Sequence, residues 1–126
     1  MADVEKVSRD LSLLTAETRA LAIELVQQAR AQGLCVGIFE ATRTAERQDW
    51  LKAQGRSKVG GNSPHARHVW GMAVDLVFLN LTGNWTWNAP QTDWDRLGAI
   101  GVALGFIWGG AWQTFKDYPH FETEEV

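Results

Sequence analysis

An α+β fold is what this sequence predicts, and three observations carry it. Apolar residues recur at helical spacing in residues 15–33 and 92–104; they alternate at strand spacing in 34–39 and 70–79; and turn-forming residues separate these segments. No internal repeat, low-complexity tract or linker divides the 126 residues, so one domain spanning 1–126 is expected.

The first helix is "TAETRALAIELVQQARAQG". Thr15 can cap it, Glu17 sits in the positive first turn, Leu21, Leu25 and Ala29 repeat at four with Val26 beside them, and Gly33 can end it. "LCVGIFE" then alternates Leu34, Val36 and Ile38 against Cys35, Gly37 and Phe39, as a strand does. A shorter helix is expected from Thr44 through "AERQDWLKAQ" to Gly55, and the loop "GRSKVGGNSP" follows it. From Trp70 to Leu79 the period is two. Trp70, Met72, Val74, Leu76 and Phe78 point one way, and Gly71, Ala73, Asp75 and Val77 the other. "LTGNWTWNAP" has the content of a turn and an irregular aromatic loop. A helix from about Thr92 to Leu104 carries Trp94, Leu97, Gly101 and Leu104 in one stripe and ends at Gly105. "FIWGGAW" and "DYPHFE" are expected as short extended pieces.

Composition narrows the function. A net charge of -3 and a pI near 5.5 give no electrostatic reason to bind nucleic acid or an anionic membrane. The single cysteine, Cys35, excludes an internal disulfide and any zinc site built on paired cysteines, so a metal here must use histidine and carboxylate. The opening "MADVEKVSRDLSLL" lacks the basic start and apolar stretch of a signal peptide, and no run reaches membrane-spanning length. A soluble chain made in the cytoplasm, without membrane insertion, is therefore expected. Seven tryptophans against one tyrosine point to an aromatic core or a stacking surface; Trp70 and Trp94 fall on apolar faces and are expected in the core.

The chemistry concentrates in "SPHARHVWGMAVDLVF", residues 63–78. Asp75 lies within an apolar run, and a buried acid is costly unless something pairs with it. A fully extended chain would hold the alpha carbons of His68 and Asp75 about 23 Å apart at roughly 3.3 Å per residue. Two ligands of one ion need them within about 10 Å. A shared metal therefore demands a bend, for which Gly71 is the natural place, while Ala73 leaves room beside the acid. The alternative is that His68 caps a loop and Asp75 pairs with Arg43 or Arg67. Further on, Pro119 in "DYPHFE" favours an extended shape, and with about three residues per turn Asp117 and His120 would project from one side. Histidine, aspartate and histidine plus one unligated acid match the needs of a catalytic zinc site, which keeps one position open.

"HVWGMAVD" followed by "DYPHF" resembles a family of zinc peptidases. That family includes D-alanyl-D-alanine carboxypeptidases, vancomycin-resistance dipeptidases and the L-alanyl-D-glutamate endopeptidases of bacteriophage lysis enzymes. Its mark is S-x-H-x-x-G-x-A-x-D with a later acid-x-x-His. "EATRTAERQDWL" is similar to the family's arginine segment and "LGFIWGGAW" to its approach to the last ligand, so the resemblance extends over most of the chain. It implies a small, mainly antiparallel sheet with two or three packed helices, as in Hedgehog and D,D-peptidase folds. It implies too that His68, Asp75 and His120 hold Zn2+, that Asp117 is the acid/base and that Arg43 faces substrate. Two departures stand out. Ala66 replaces the family's serine, while Ser63 precedes His65 at the same offset; this makes His65 a rival ligand, although only His68 lies three residues before Gly71 and seven before Asp75. Asp117 stands where many relatives have glutamate.

The resemblance thus implies a zinc-dependent peptidoglycan peptidase of the phage endolysin type, monomeric, hydrolysing L-alanyl-D-glutamate bonds of cell-wall peptide stems after release to the wall. Ser63, Trp85 and Trp87 are expected to touch that substrate. A D-alanyl-D-alanine carboxypeptidase or dipeptidase is the near alternative, and a non-catalytic wall-binding module of the same fold the more distant one.

Overall fold

The computed structural model of the protein describes residues 4–124. Helix α1 spans Ala16–Ala31, and the Thr15 side chain caps it by accepting the Thr18 N–H. Strand β1 (Val36–Glu40) follows, then α2 (Ala45–Ala53), capped by Thr44 in the same way. After a loop come β2 (Ala73–Leu79), β3 (Trp85–Thr86), α3 (Gln91–Leu104), β4 (Ile107–Trp108) and β5 (His120–Glu122). The Thr15 cap and all three helices stand where the sequence puts them, because capping and helical period are local properties.

The sheet runs β1-β2-β5-β4, with β3 also on β2, and every pairing is antiparallel. The expected α+β architecture is present. One sheet face, made by Val36, Val74, Leu76, Phe78 and Phe121, packs on Ala22, Leu25 and Ala29 of α1 and on Trp94, Leu97 and Ile100 of α3. Burying this apolar surface drives the layers together. Among the described residues no helix is long and apolar enough to cross a membrane.

Two segments differ from expectation. The strand expected from Trp70 begins only at Ala73, and Trp70 is 51% exposed rather than in the core. Successive turns occupy residues 64–71, where Ala66, Val69 and Gly71 donate to carbonyls three residues back, so the alternating pattern at 70–72 is not strand. Trp94, by contrast, is buried as expected, edge-on to Phe78.

Gly71 makes the bend. Its φ is +71°, its carbonyl accepts the Thr15 N–H, and a Cβ built on it would lie 2.7 Å from the Leu13 carbonyl oxygen. Only glycine meets both demands. Gly71→Ala is expected to cost on the order of 2 kcal/mol or more, from left-handed strain plus the clash. Urea denaturation of the two proteins measures it; equal midpoints would deny the bend its dependence on glycine.

Candidate metal centre

The sheet face away from α1 and α3 carries the polar side chains, and strand register places them. Asp75 in the middle strand pairs with Glu40 on β1 and with His120 on β5, so the three form one row across the sheet. Glu40 reaches that row through a β-bulge. Ile38 is opposite Leu76 on the core side, and regular alternation would point Glu40 the same way, but the register shift after Ile38 turns it to the Asp75 side.

His68 comes from the turns before β2. Its Nδ1 lies 2.7 Å from the Ala41 carbonyl oxygen, and its own carbonyl accepts the Arg43 N–H, so the end of β1 and the turn hold each other. Its Nε2 is then 3.1 Å from Asp75 Oδ1, while His120 Nδ1 is 3.5 Å from the same oxygen. One donor atom from each of His68, Asp75 and His120 falls within 4.8 Å of the others. The bend therefore brings together two residues that an extended chain would hold far apart. Two imidazoles and one carboxylate fit a divalent ion of zinc's type, with room for a fourth partner from outside the chain.

His120 and Asp117 reach the site by a different route from the extended one expected. Residues 117–120 form a turn, closed by the His120 N–H on the Asp117 carbonyl, and Gly109 lets it lie close. A Cβ on Gly109 would sit 2.4 Å from the Asp117 carbonyl oxygen and 3.1 Å from the Cβ atoms of both Asp117 and His120. The "WGG" stretch is thus a seat for the acid and the histidine. The close backbone also brings the short Asp117 side chain into the cavity.

That cavity, of about 360 Å³, is lined by Arg43, Gln48, His68, Asp117, His120 and Glu122, together with Trp112, Phe115 and the segment Arg56 to Val59. A groove of about 550 Å³ nearby, lined by Thr15, Trp70 and Met72 among others, contains none of the three clustered residues and shares only Arg67 with it. The smaller cavity is the one with chemistry.

Burial and charge set the protonation of the metal-free site. Burial lowers the pKa of His68. Burial works against the charge of Asp75, yet His68, His120 and Arg43 hold its carboxyl well below the usual range. Burial likewise opposes a charge on His120, but hydrogen bonds to Asp75 and Glu122 push it up to about 9. Asp117 is pushed up to about 6, first by burial and then by the negative charge of Asp75, against the pull of His120 and Arg43.

Arg43 lines the cavity but is anchored from beneath. Nη2 donates to Glu40 at 3.0 Å and to Asp75 at 3.2 Å, and Nη1 donates to Gln48 at 3.1 Å. Asp75 pairs with Arg43, as the alternative from sequence expects, and at the same time faces the two histidines. His65 lines the cavity on its exposed side but is outside the cluster. Ser63 lines neither cavity; its hydroxyl accepts the His65 N–H and its carbonyl the Trp70 Nε1–H. Trp85 and Trp87 also lie away from the cavity. They stack edge-on against Phe39, and Trp85 covers Gly37. Their distance follows from register, since Trp85 pairs with Leu79, four residues along β2 from Asp75.

Sequence reasoning missed two acids. Glu40 is buried beneath the site, and Glu122 lies 2.7 Å from His120 Nε2. The second had a signal, because residues two apart on a strand share a face.

A family profile described as D-alanyl-D-alanine carboxypeptidase matches residues 59–123, which contain His68, Asp75, Asp117 and His120. The peptidoglycan L-alanyl-D-glutamate endopeptidase CwlK of Bacillus subtilis (strain 168) is 37% identical over 106 residues, covering 75% of this chain and 64% of the relative. The L-alanyl-D-glutamate peptidase of Listeria phage A118 is 31% identical over 114 residues, 90% of this chain and 39% of that protein. The chain thus spans less than two thirds of the length of either. Among solved structures, the Serratia marcescens L-Ala D-Glu endopeptidase ChiX superposes with a TM-score of 0.66 at 26% identity, covering 90% of this chain and 83% of its own. The LdcB LD-carboxypeptidase, at a TM-score of 0.57 and 16% identity over 87% of this chain and 58% of its own, shares the fold.

Proposed function

This chain belongs to the D-alanyl-D-alanine carboxypeptidase family, and from that membership and its His-Asp-His cluster we propose that it is a zinc-dependent peptidase cutting L-alanyl-D-glutamate bonds in bacterial peptidoglycan stems. The observation that carries the proposal is the convergence of His68, Asp75 and His120, the two histidines lining a cavity that also holds the acid Asp117. The relatives CwlK, the phage A118 peptidase and ChiX, all named for that bond, support its choice. We place its action at the cell wall in the manner of phage lysis enzymes, with the protein working as a monomer.

His68, Asp75 and His120 would hold the zinc. Bound there, it would supply a water with a pKa of about 7 and polarise the scissile carbonyl, so no serine or cysteine nucleophile is needed. The chain's own groups do the rest. Asp117 takes a proton from the attacking water and returns it to the leaving amine. Arg43 steadies Asp75, and its positive charge beside the cavity opposes the negative charge that builds on the carbonyl oxygen. Trp112, tilted against the His120 ring at 5.2 Å, shields that side from water.

Digestion of purified cell wall, with mass analysis of the fragments, tests the bond. New D-glutamate amino termini paired with L-alanine carboxyl termini are expected. Release of terminal D-alanine alone would reassign the enzyme as a carboxypeptidase, and an unchanged wall would leave only a binding module.

A further inference from the structure

Glu122 is a largely buried carboxylate in the cavity to which the mechanism gives no task. It follows His120 by two residues on β5, so both side chains stand on the sheet face that carries Asp75. Its Oε1 is 2.7 Å from His120 Nε2, and the opposite ring nitrogen, Nδ1, faces Asp75. A carboxylate can only accept, so Nε2 carries the hydrogen, and in a neutral ring Nδ1 keeps its lone pair toward the cluster. The other histidine is held by the reverse arrangement. Nδ1 of His68 donates to the Ala41 carbonyl, which also can only accept, and leaves Nε2 turned toward Asp75. The two imidazoles therefore converge through opposite nitrogens, each fixed by an acceptor behind it.

The two acceptors differ in kind. Ala41 offers a neutral carbonyl on backbone that the Arg43 N–H ties in place, whereas Glu122 offers a charged oxygen on a side chain. Glu122 needs its own anchor, and Arg67 supplies one. Arg67 Nε has no hydrogen-bond partner among the described residues and forms an ion pair with Glu122 Oε2 at 3.5 Å. Arg67 is also the residue before His68, so one turn serves both sides of the cluster.

We infer that Glu122 is a positioning residue of the metal centre: it selects the His120 tautomer whose Nδ1 can ligate, strengthens that nitrogen as a donor, and is itself aimed by Arg67. This role presupposes the metal site proposed above. Such acceptors behind a ligating histidine typically change metal affinity about 10–100-fold.

The test uses the full chain, with zinc alone as probe in competition with a chromophoric chelator. Glu122→Ala is expected to raise the zinc dissociation constant about 10–100-fold. Glu122→Gln keeps a neutral acceptor and is expected to lose much less. In the NMR spectrum of the zinc-loaded wild type, a downfield His120 Nε2–H resonance protected from exchange is expected, and it should vanish in Glu122→Ala. A folded Ala variant that binds zinc within twofold of wild type would overturn the inference and leave the metal site standing. Equal losses in the Gln and Ala variants would also overturn it, because Gln keeps an acceptor for the Nε2–H that Ala lacks. If the wild type itself takes up no zinc, the metal reading fails; nitrogen shifts of His120 in the metal-free protein, above the pH at which its ring loses the second proton, then decide the tautomer alone.

Discussion

Asp117→Asn is expected to retain its metal and lose about 10²–10⁴-fold in kcat, the usual worth of a positioned proton carrier. The substitution is nearly isosteric, and no described side chain donates a hydrogen bond to Asp117, so the fold should survive it. What changes is the ability to take and return a proton. The carboxyl is already pushed up to about 6, first by burial, so the site favours a group able to hold a proton for part of the cycle. An amide cannot do this at any pH near neutrality. Steady-state kinetics on a stem-peptide substrate, with metal content measured on the same preparation, check the result. KM should move little, because the lost interaction belongs to the transition state. Asp117→Glu, which keeps the acid on a longer arm, should retain more activity than the Asn variant. Turnover by Asp117→Asn at the wild-type rate would remove Asp117 from the mechanism.

Glu40→Ala is expected to destabilise the protein by about 3–5 kcal/mol, which is the cost of leaving a buried charge without its partner. Glu40 is 2% exposed and accepts from Arg47 Nε at 2.6 Å, Arg47 Nη2 at 3.3 Å and Arg43 Nη2 at 3.0 Å. Its loss leaves the buried Arg47 guanidinium without its carboxylate partner and removes one of the two that Arg43 has. Arg47 also donates to the Val4 carbonyl, so the N-terminal segment would loosen with it. A fall in melting temperature on the order of 10 °C is expected for a chain of this size. Replacing Glu40 and Arg47 together with methionine should recover part of the loss, since two of the three charges then leave the interior together. The sign of the pH dependence follows from the same contacts. Burial opposes the Glu40 charge, but the hydrogen bonds from Arg47 and Arg43 prevail and hold its carboxyl below 4.5. Its contribution is therefore complete above that pH and is lost as acid protonates it in the fold. Thermal melts of wild type and Glu40→Ala should draw together as the pH falls below 4.5; a gap that stays constant would show that the ionised carboxylate is not what stabilises this region.

Much of this protein was legible from local pattern. Thr15 caps α1 because a threonine before an amphipathic run can do little else as well. Gly71 was identified as the bend because two ligands cannot meet across an extended chain, and its φ of +71° bears that out. His68 and His120 needed no structure to be named as candidates, since residue type and spacing sufficed. Local pattern misled where alternation continued past the end of the strand, placing Trp70 in the core although it is 51% exposed. It misled again at Trp85 and Trp87, whose loop looked free to line a groove but whose register on β2 sets them beside Phe39.

The sequence by itself determined the helices, the bend and the chemical identity of the clustered donors, because caps, periods and turn glycines act over a few residues. Only the tertiary structure decided which side chains share a row across the sheet. A single bulged residue after Ile38 turns Glu40 from the core face to the face of Asp75 and His120. Cross-strand partners are chosen by register, and one step of register moves a side chain to the opposite face of the sheet.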